Sequence, residues 1–106
     1  MADHLAVTTT IDSREAAERL ARAAVDARAA ACAQVEGPIT SVYRWRGEVT
    51  TDQEWRVLLK TTAARYPVLE ALIREVHGYE VPQITATQIV RGGADYLRWL
   101  DAETTG

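Results

Sequence analysis

The order of strand and helix patterns along this 106-residue chain, β-α-β-β-α-β, predicts an α+β fold of the ferredoxin-like kind, an antiparallel sheet with both main helices on one face. Three observations carry that prediction. Four β-rich runs fall at His4–Thr10, Cys32–Trp45, Glu48–Thr62 and Gln83–Val90, two stretches repeat their apolar residues at helical spacing, and Arg46-Gly47 marks a tight reversal between the two longest runs.

HLAVTTT, His4 to Thr10, is short and β-branched and reads as the first strand. Asp12 then offers an N-cap, with Glu15 three residues on completing a capping-box pattern, so a helix is expected from there through Arg28. Its apolar side is built from Ala16, Leu20, Ala23, Ala24 and Ala27, while Glu15–Arg19 and Glu18–Arg22 are spaced as i,i+4 pairs on the wet side. Cys32 to Glu36 begins a second strand that resumes at Ile39, with Gly37-Pro38 as a bulge or kink. Ser41, Tyr43 and Trp45 alternate with Val42 and Arg44, and the return strand alternates Trp55, Val57 and Leu59 with Arg56, Leu58 and Lys60. The result is a long β-hairpin.

Pro67 suits the first turn of a second helix, along which Val68, Leu69, Leu72, Ile73 and Val76 repeat and after which Gly78 is the expected stop. Gln83 to Val90 forms the last strand, and Ala94 to Ala102 a short closing helix with Tyr96, Leu97, Trp99 and Leu100. One domain, residues 1–106, accounts for the whole pattern. The hairpin is longer than two covering helices require, and its tip gathers Tyr, Trp and Arg. Such an edge is a poor monomer surface and a good subunit contact, so a symmetric homo-oligomer joined through it is expected.

Composition excludes several function classes. The 47% apolar and 25% charged residues are those of a soluble globular domain, and no apolar run approaches the length of a membrane span. Tyr43-Arg44-Trp45-Arg46 interleaves cations with aromatics as single-strand binders do, yet the net charge of −3 and the lack of a wider basic stripe argue against nucleic acid. The N-terminus lacks the features of a secretory signal, so a cytoplasmic location is expected. No nucleophile with a base at recognisable spacing, phosphate loop or H-E-x-x-H motif occurs, and the expectation is a protein that is not an enzyme.

AAACAQV (Ala29–Val35), ITSVYRWRGEV (Ile39–Val49), EWRVLLKT (Glu54–Thr61), HGYEVPQI (His77–Ile84) and DYLRWL (Asp95–Leu100) follow one another over nearly the whole chain in the order seen in the CutA family of divalent-cation tolerance proteins, which the sequence closely resembles. The resemblance implies a ferredoxin-like subunit and a tight homotrimer similar to the PII signalling proteins. It also implies a link to copper and other divalent ions. No cofactor is expected to be required, beyond Cu(II) or another divalent cation as a ligand, and the hairpin's Tyr43, Trp45 and Trp55 are the expected trimer contacts. Two departures stand out. Gly78 and Gln83 replace the proline and glutamate of the family's H-P-Y-x-x-P-E pattern, and of the three positions proposed for copper in some members, Thr9, Val76 and His77 here, only His77 keeps a metal-ligating side chain.

Candidate site residues follow. His77 is read first as a capping histidine at a helix end and second as a metal ligand or a gate to a pocket with Tyr79. Cys32 is read first as a small buried hydrophobe and second as a copper thiolate. Lys60 either holds an anionic ligand in an inter-subunit cleft or pairs with a carboxylate such as Glu80. A mature chain beginning Ala2-Asp3-His4 would offer an amine, two backbone amides and an imidazole to a square-planar metal such as Cu(II). The primary expectation is a trimeric metal-binding or small-ligand-sensing protein, and the competing one is a PII-like scaffold with indirect metal effects.

Overall fold

The computed structural model describes residues 3–105, which form β1 (His4–Ile11), α1 (Arg14–Asp26), β2 (Cys32–Trp45), β3 (Glu48–Thr62), α2 (Tyr66–Val76), β4 (Thr85–Gln88) and α3 (Ala94–Glu103). The four strands make one sheet in the order β2-β3-β1-β4, antiparallel at each described pairing. One sheet face carries Val7, Thr9, Ile11, Val57, Leu59 and Thr61, all buried, and meets Ala17, Leu20 and Ala24 of α1 and Leu69 and Ile73 of α2. Alternation along each strand puts their neighbours on the opposite face.

Several boundaries move for local reasons. Ser13, not Asp12, caps α1: its backbone is extended and its Oγ accepts the Ala16 N–H at 3.1 Å, so the pattern shifts by one residue and Ala17 joins the core. The helix ends at Asp26 because Arg28 turns left-handed at φ 56° and the amides of Ala29 and Ala30 fold back on the Ala24 carbonyl. Gly78 is not a left-handed cap; α2 stops because His77 becomes extended, at φ −80° and ψ 138°. β4 shrinks to four residues, the length over which it pairs with β1.

The hairpin is as expected. Trp45 pairs with Glu48 across a two-residue turn in which Arg46 and Gly47 both have positive φ, the geometry that matches the twist of paired strands. It stretches the subunit to 44 Å against 25 and 22 Å in the other directions. The register slips between Glu36 and Ile39, as the Gly37-Pro38 kink requires. α3 packs on the face opposite α1 and α2, where Tyr96 reaches Cys32, Asp101 reaches His4 and Leu100 is fully buried. No helix among the described residues is long and apolar enough to cross a membrane.

Candidate functional site

Pairing in β2 and β3 sets Ser41 opposite Asp52 and Ile39 opposite Glu54, so Ser41, Tyr43 and Trp45 share a face with Asp52 and Glu54. The segment after α2 runs past this face and brings Tyr79, Glu80 and Gln83 to it. Between them lies a groove of about 940 Å³, also bordered by Asp12 at the end of β1. Its lining holds four carboxylates, Asp12, Asp52, Glu54 and Glu80, and one cation, Arg46. The groove is acidic.

Its inner wall is a hydrogen-bonded chain. His77, 8% exposed, donates from Nε2 to the Thr10 carbonyl at 2.7 Å and accepts the Tyr79 N–H on Nδ1 at 3.1 Å. The Tyr79 ring stands edge-on to the imidazole at 4.6 Å, and its hydroxyl donates to Glu54 Oε2 at 2.7 Å. Burial, reinforced by the bond to Glu54, pushes the Tyr79 phenol above its ordinary range, so it remains a donor at neutral pH. Nearer the tip, the Tyr43 hydroxyl donates to Asp52, which raises the Tyr43 phenol as well. At the rim Arg46 pairs with Glu80 at 3.0 Å and lies 5.6 Å over the Trp45 ring.

Tyr79→Phe removes a hydrogen bond drawn to Glu54, a residue that is 6% exposed. The expected cost is about 1–3 kcal/mol of unfolding free energy, read from urea denaturation.

The residues expected to act in the site are dispersed. Tyr79 and Glu80 line the groove, whereas Lys60 lies six residues beyond Glu54 along β3, roughly 20 Å away at 3.3 Å per residue. Lys60 is instead the cross-strand neighbour of Cys32, and Glu80 has Arg46 for its partner. Cys32 Sγ lies 3.6 Å from the Tyr96 hydroxyl, and that contact, with burial, pushes the Tyr96 phenol up to about 12. His4 places Nε2 2.8 Å from Asp101. Asp3 is exposed just before β1, while Ala2 lies outside the described residues. His77, Cys32 and His4 thus stand apart, and among the described residues no three His, Cys, Asp or Glu side chains gather as a metal set.

Of the expected subunit contacts, Tyr43 and Trp45 are 40% and 42% exposed near the hairpin tip. Trp55 is half-buried and packs inside the subunit, against the core and over Gly37. Asp12, Asp52, Glu54 and Arg46 line the groove but are not among the candidate site residues that the sequence suggests. The signal for three of them was present: a two-residue turn at Arg46-Gly47 fixes the register, and register plus alternation puts Asp52 and Glu54 beside Tyr43 and Trp45. The return of the α2–β4 segment to that face has no such local signal.

Comparison with known proteins agrees with this architecture. The family model described as CutA1 divalent ion tolerance protein matches residues 5–103. The divalent-cation tolerance protein CutA of Thermus thermophilus is 44% identical over 100 residues, covering 94% of this chain and 96% of its own. Protein CutA of Mus musculus is 35% identical over 93% of this chain, which spans 56% of the mouse protein's length. The solved structure of CutA1 from the psychrotrophic bacterium Shewanella sp. SIB1, 32% identical, superposes with a TM-score of 0.95 over 99% of this chain and 98% of that one. With a family model that matches residues 5–103 and solved relatives whose ferredoxin-like, PII-like fold it shares, the chain belongs to the CutA1 divalent ion tolerance family.

Proposed function

We propose that this chain acts in divalent-cation tolerance as a cytoplasmic, non-enzymatic homotrimer that is joined through the β2–β3 hairpin and takes up a cation in the hairpin groove. One observation carries the reading: a single β-ribbon supplies both exposed apolar side chains, Tyr43 and Trp45 on one face and Val42, 65% exposed, on the other, and the carboxylates Asp52 and Glu54 of an acidic cleft. Exposed large apolar side chains on a projecting ribbon are stabilised by burial against another copy. An excess of carboxylates in a cleft concentrates cations there. The tolerance role named for the Thermus relative fits that charge.

Calorimetric titration of untagged protein with Cu(II) and with Mg(II), beside Glu54→Gln, His77→Ala and His4→Ala, tests it. Saturable cation binding weakened by Glu54→Gln supports the groove. Both imidazole nitrogens of His77 already have partners, so His77→Ala is expected to act on the groove only through the Tyr79 it supports, with a lowered melting temperature rather than the loss of a metal ligand. Copper binding lost only in His4→Ala would assign copper to Ala2-Asp3-His4 and take it away from the folded groove.

A further inference from the structure

We propose that residues 77–84 are a brace that holds the outer hairpin in the pose from which it assembles, with Tyr79 and Glu80 as positioning residues; this rests on the reading of the hairpin as the subunit contact. β3 pairs with β1 only as far as Trp55, opposite Ile11, and β2 is an edge strand, so from Ile39 to Glu54 the two strands of the hairpin have no neighbour but each other. A two-stranded ribbon is marginally stable alone and is the sheet form that twists most. The joint where it leaves the sheet is irregular as well, the register shifting between Glu36 and Ile39. The pairing of its own strands therefore does not fix the direction in which the ribbon projects.

The segment after α2 does. Among the described residues, every hydrogen bond and ion pair that leaves residues 39–54 ends on it: the Tyr79 hydroxyl donates to Glu54 at 2.7 Å, and Arg46 in the turn bonds Glu80 at 3.0 Å. The other side-chain bonds of the ribbon, Tyr43 to Asp52 and Arg44 to the Gly47 carbonyl, stay within it. Glu54 lies near the base of the ribbon and Arg46 at its tip, so two consecutive residues grip it at both ends. The brace is itself anchored. His77, 8% exposed, bonds the Thr10 carbonyl of β1, takes the Tyr79 N–H on Nδ1 and meets the Tyr79 ring at 4.6 Å, while Ile84 packs against the core at the other end of the segment. A contact surface already held in one pose loses less freedom when it docks, which favours assembly over that of a free ribbon. Tyr79 and Glu80 thereby act on the subunit contact through Glu54 and Arg46.

The test is subunit exchange in the intact protein, with isotope-labelled and unlabelled protein mixed and followed by native mass spectrometry. Wild type is compared with Tyr79→Phe, Glu80→Arg, Arg46→Glu and the Arg46→Glu/Glu80→Arg double variant, and thermal denaturation of each shows whether the fold persists. The expected result is exchange faster by about tenfold in Tyr79→Phe and by about threefold in Glu80→Arg, the latter at the wild-type melting temperature because the pair is exposed. Reversing the pair separates positioning from bulk stability: the double variant should exchange more slowly than Arg46→Glu alone. Exchange in Tyr79→Phe and Glu80→Arg that matches wild type overturns the proposal, as does a double variant no slower than Arg46→Glu. A wild type that shows only single subunits overturns the assembly reading beneath it.

Discussion

Gly37→Ala is expected to destabilise the subunit by roughly 2–5 kcal/mol and to lower its melting temperature accordingly. A Cβ built at Gly37 would stand 2.6 Å from Trp55 Cδ1 and 2.9 Å from Cγ, with the Glu54 carbonyl oxygen at 3.1 Å. The indole cannot retreat freely, since Trp55 also packs against the core. The backbone there has φ +154°, which L side chains rarely adopt, so strain adds to the clash. Because the kink at Gly37 joins the outer hairpin to the sheet, where the register shifts, the loss should spread to the groove. Thermal and urea denaturation of Gly37→Ala, Trp55→Ala and the double variant check this: with the indole gone, Gly37→Ala should cost less than it does in wild type. Equal costs in both backgrounds would show that the Trp55 contact is not what excludes a side chain at Gly37.

Trp45→Ala is expected to weaken the proposed trimer by about 2 kcal/mol or more per contact while leaving the subunit fold intact. Trp45 is 42% exposed in the isolated subunit and lies one residue before the turn, so its truncation leaves no cavity in the core. Aromatic side chains at the centre of an interface contribute most of the affinity of that interface, and Trp45 shares one face of the hairpin with the exposed Tyr43. Trp55→Ala should behave differently. It removes core packing first, so any loss of assembly would accompany a lower melting temperature, whereas Trp45→Ala should dissociate at dilution without one. Sedimentation velocity across a concentration series, with circular dichroism at each point, separates the two.

The contrast between these tryptophans shows how far sequence reasoning reaches. Alternation and the Arg46-Gly47 reversal were enough for the hairpin, because a two-residue turn leaves one register and a period of two leaves one choice of faces. The same rules do not say what packs beyond the sheet. Trp55 falls at the Gly37-Pro38 kink, a contact between residues far apart along the hairpin, and its inward packing becomes visible only in three dimensions. The helix ends moved for a similar reason. Asp12 and Ser13 are both good caps, and the backbone chose Ser13, freeing Asp12 for the groove. His77 was legible as a capping residue, and its backbone N–H does bond Ile73 of its own helix, but the carbonyl its imidazole satisfies belongs to Thr10 in β1. Lys60 and Glu80, which charge alone could pair, lie at opposite ends of a strand face in one subunit.

The central claim is that one hairpin both assembles the protein and builds the groove. Sedimentation equilibrium of the untagged protein, with Trp45→Ala beside it, tests that most directly. A species of three subunits, about 35 kDa from a chain of 11.7 kDa, is expected to persist on dilution in wild type and to give way to smaller species in a folded Trp45→Ala. A wild-type protein that sediments as a single subunit at every concentration, or a trimer indifferent to Trp45→Ala, would contradict it.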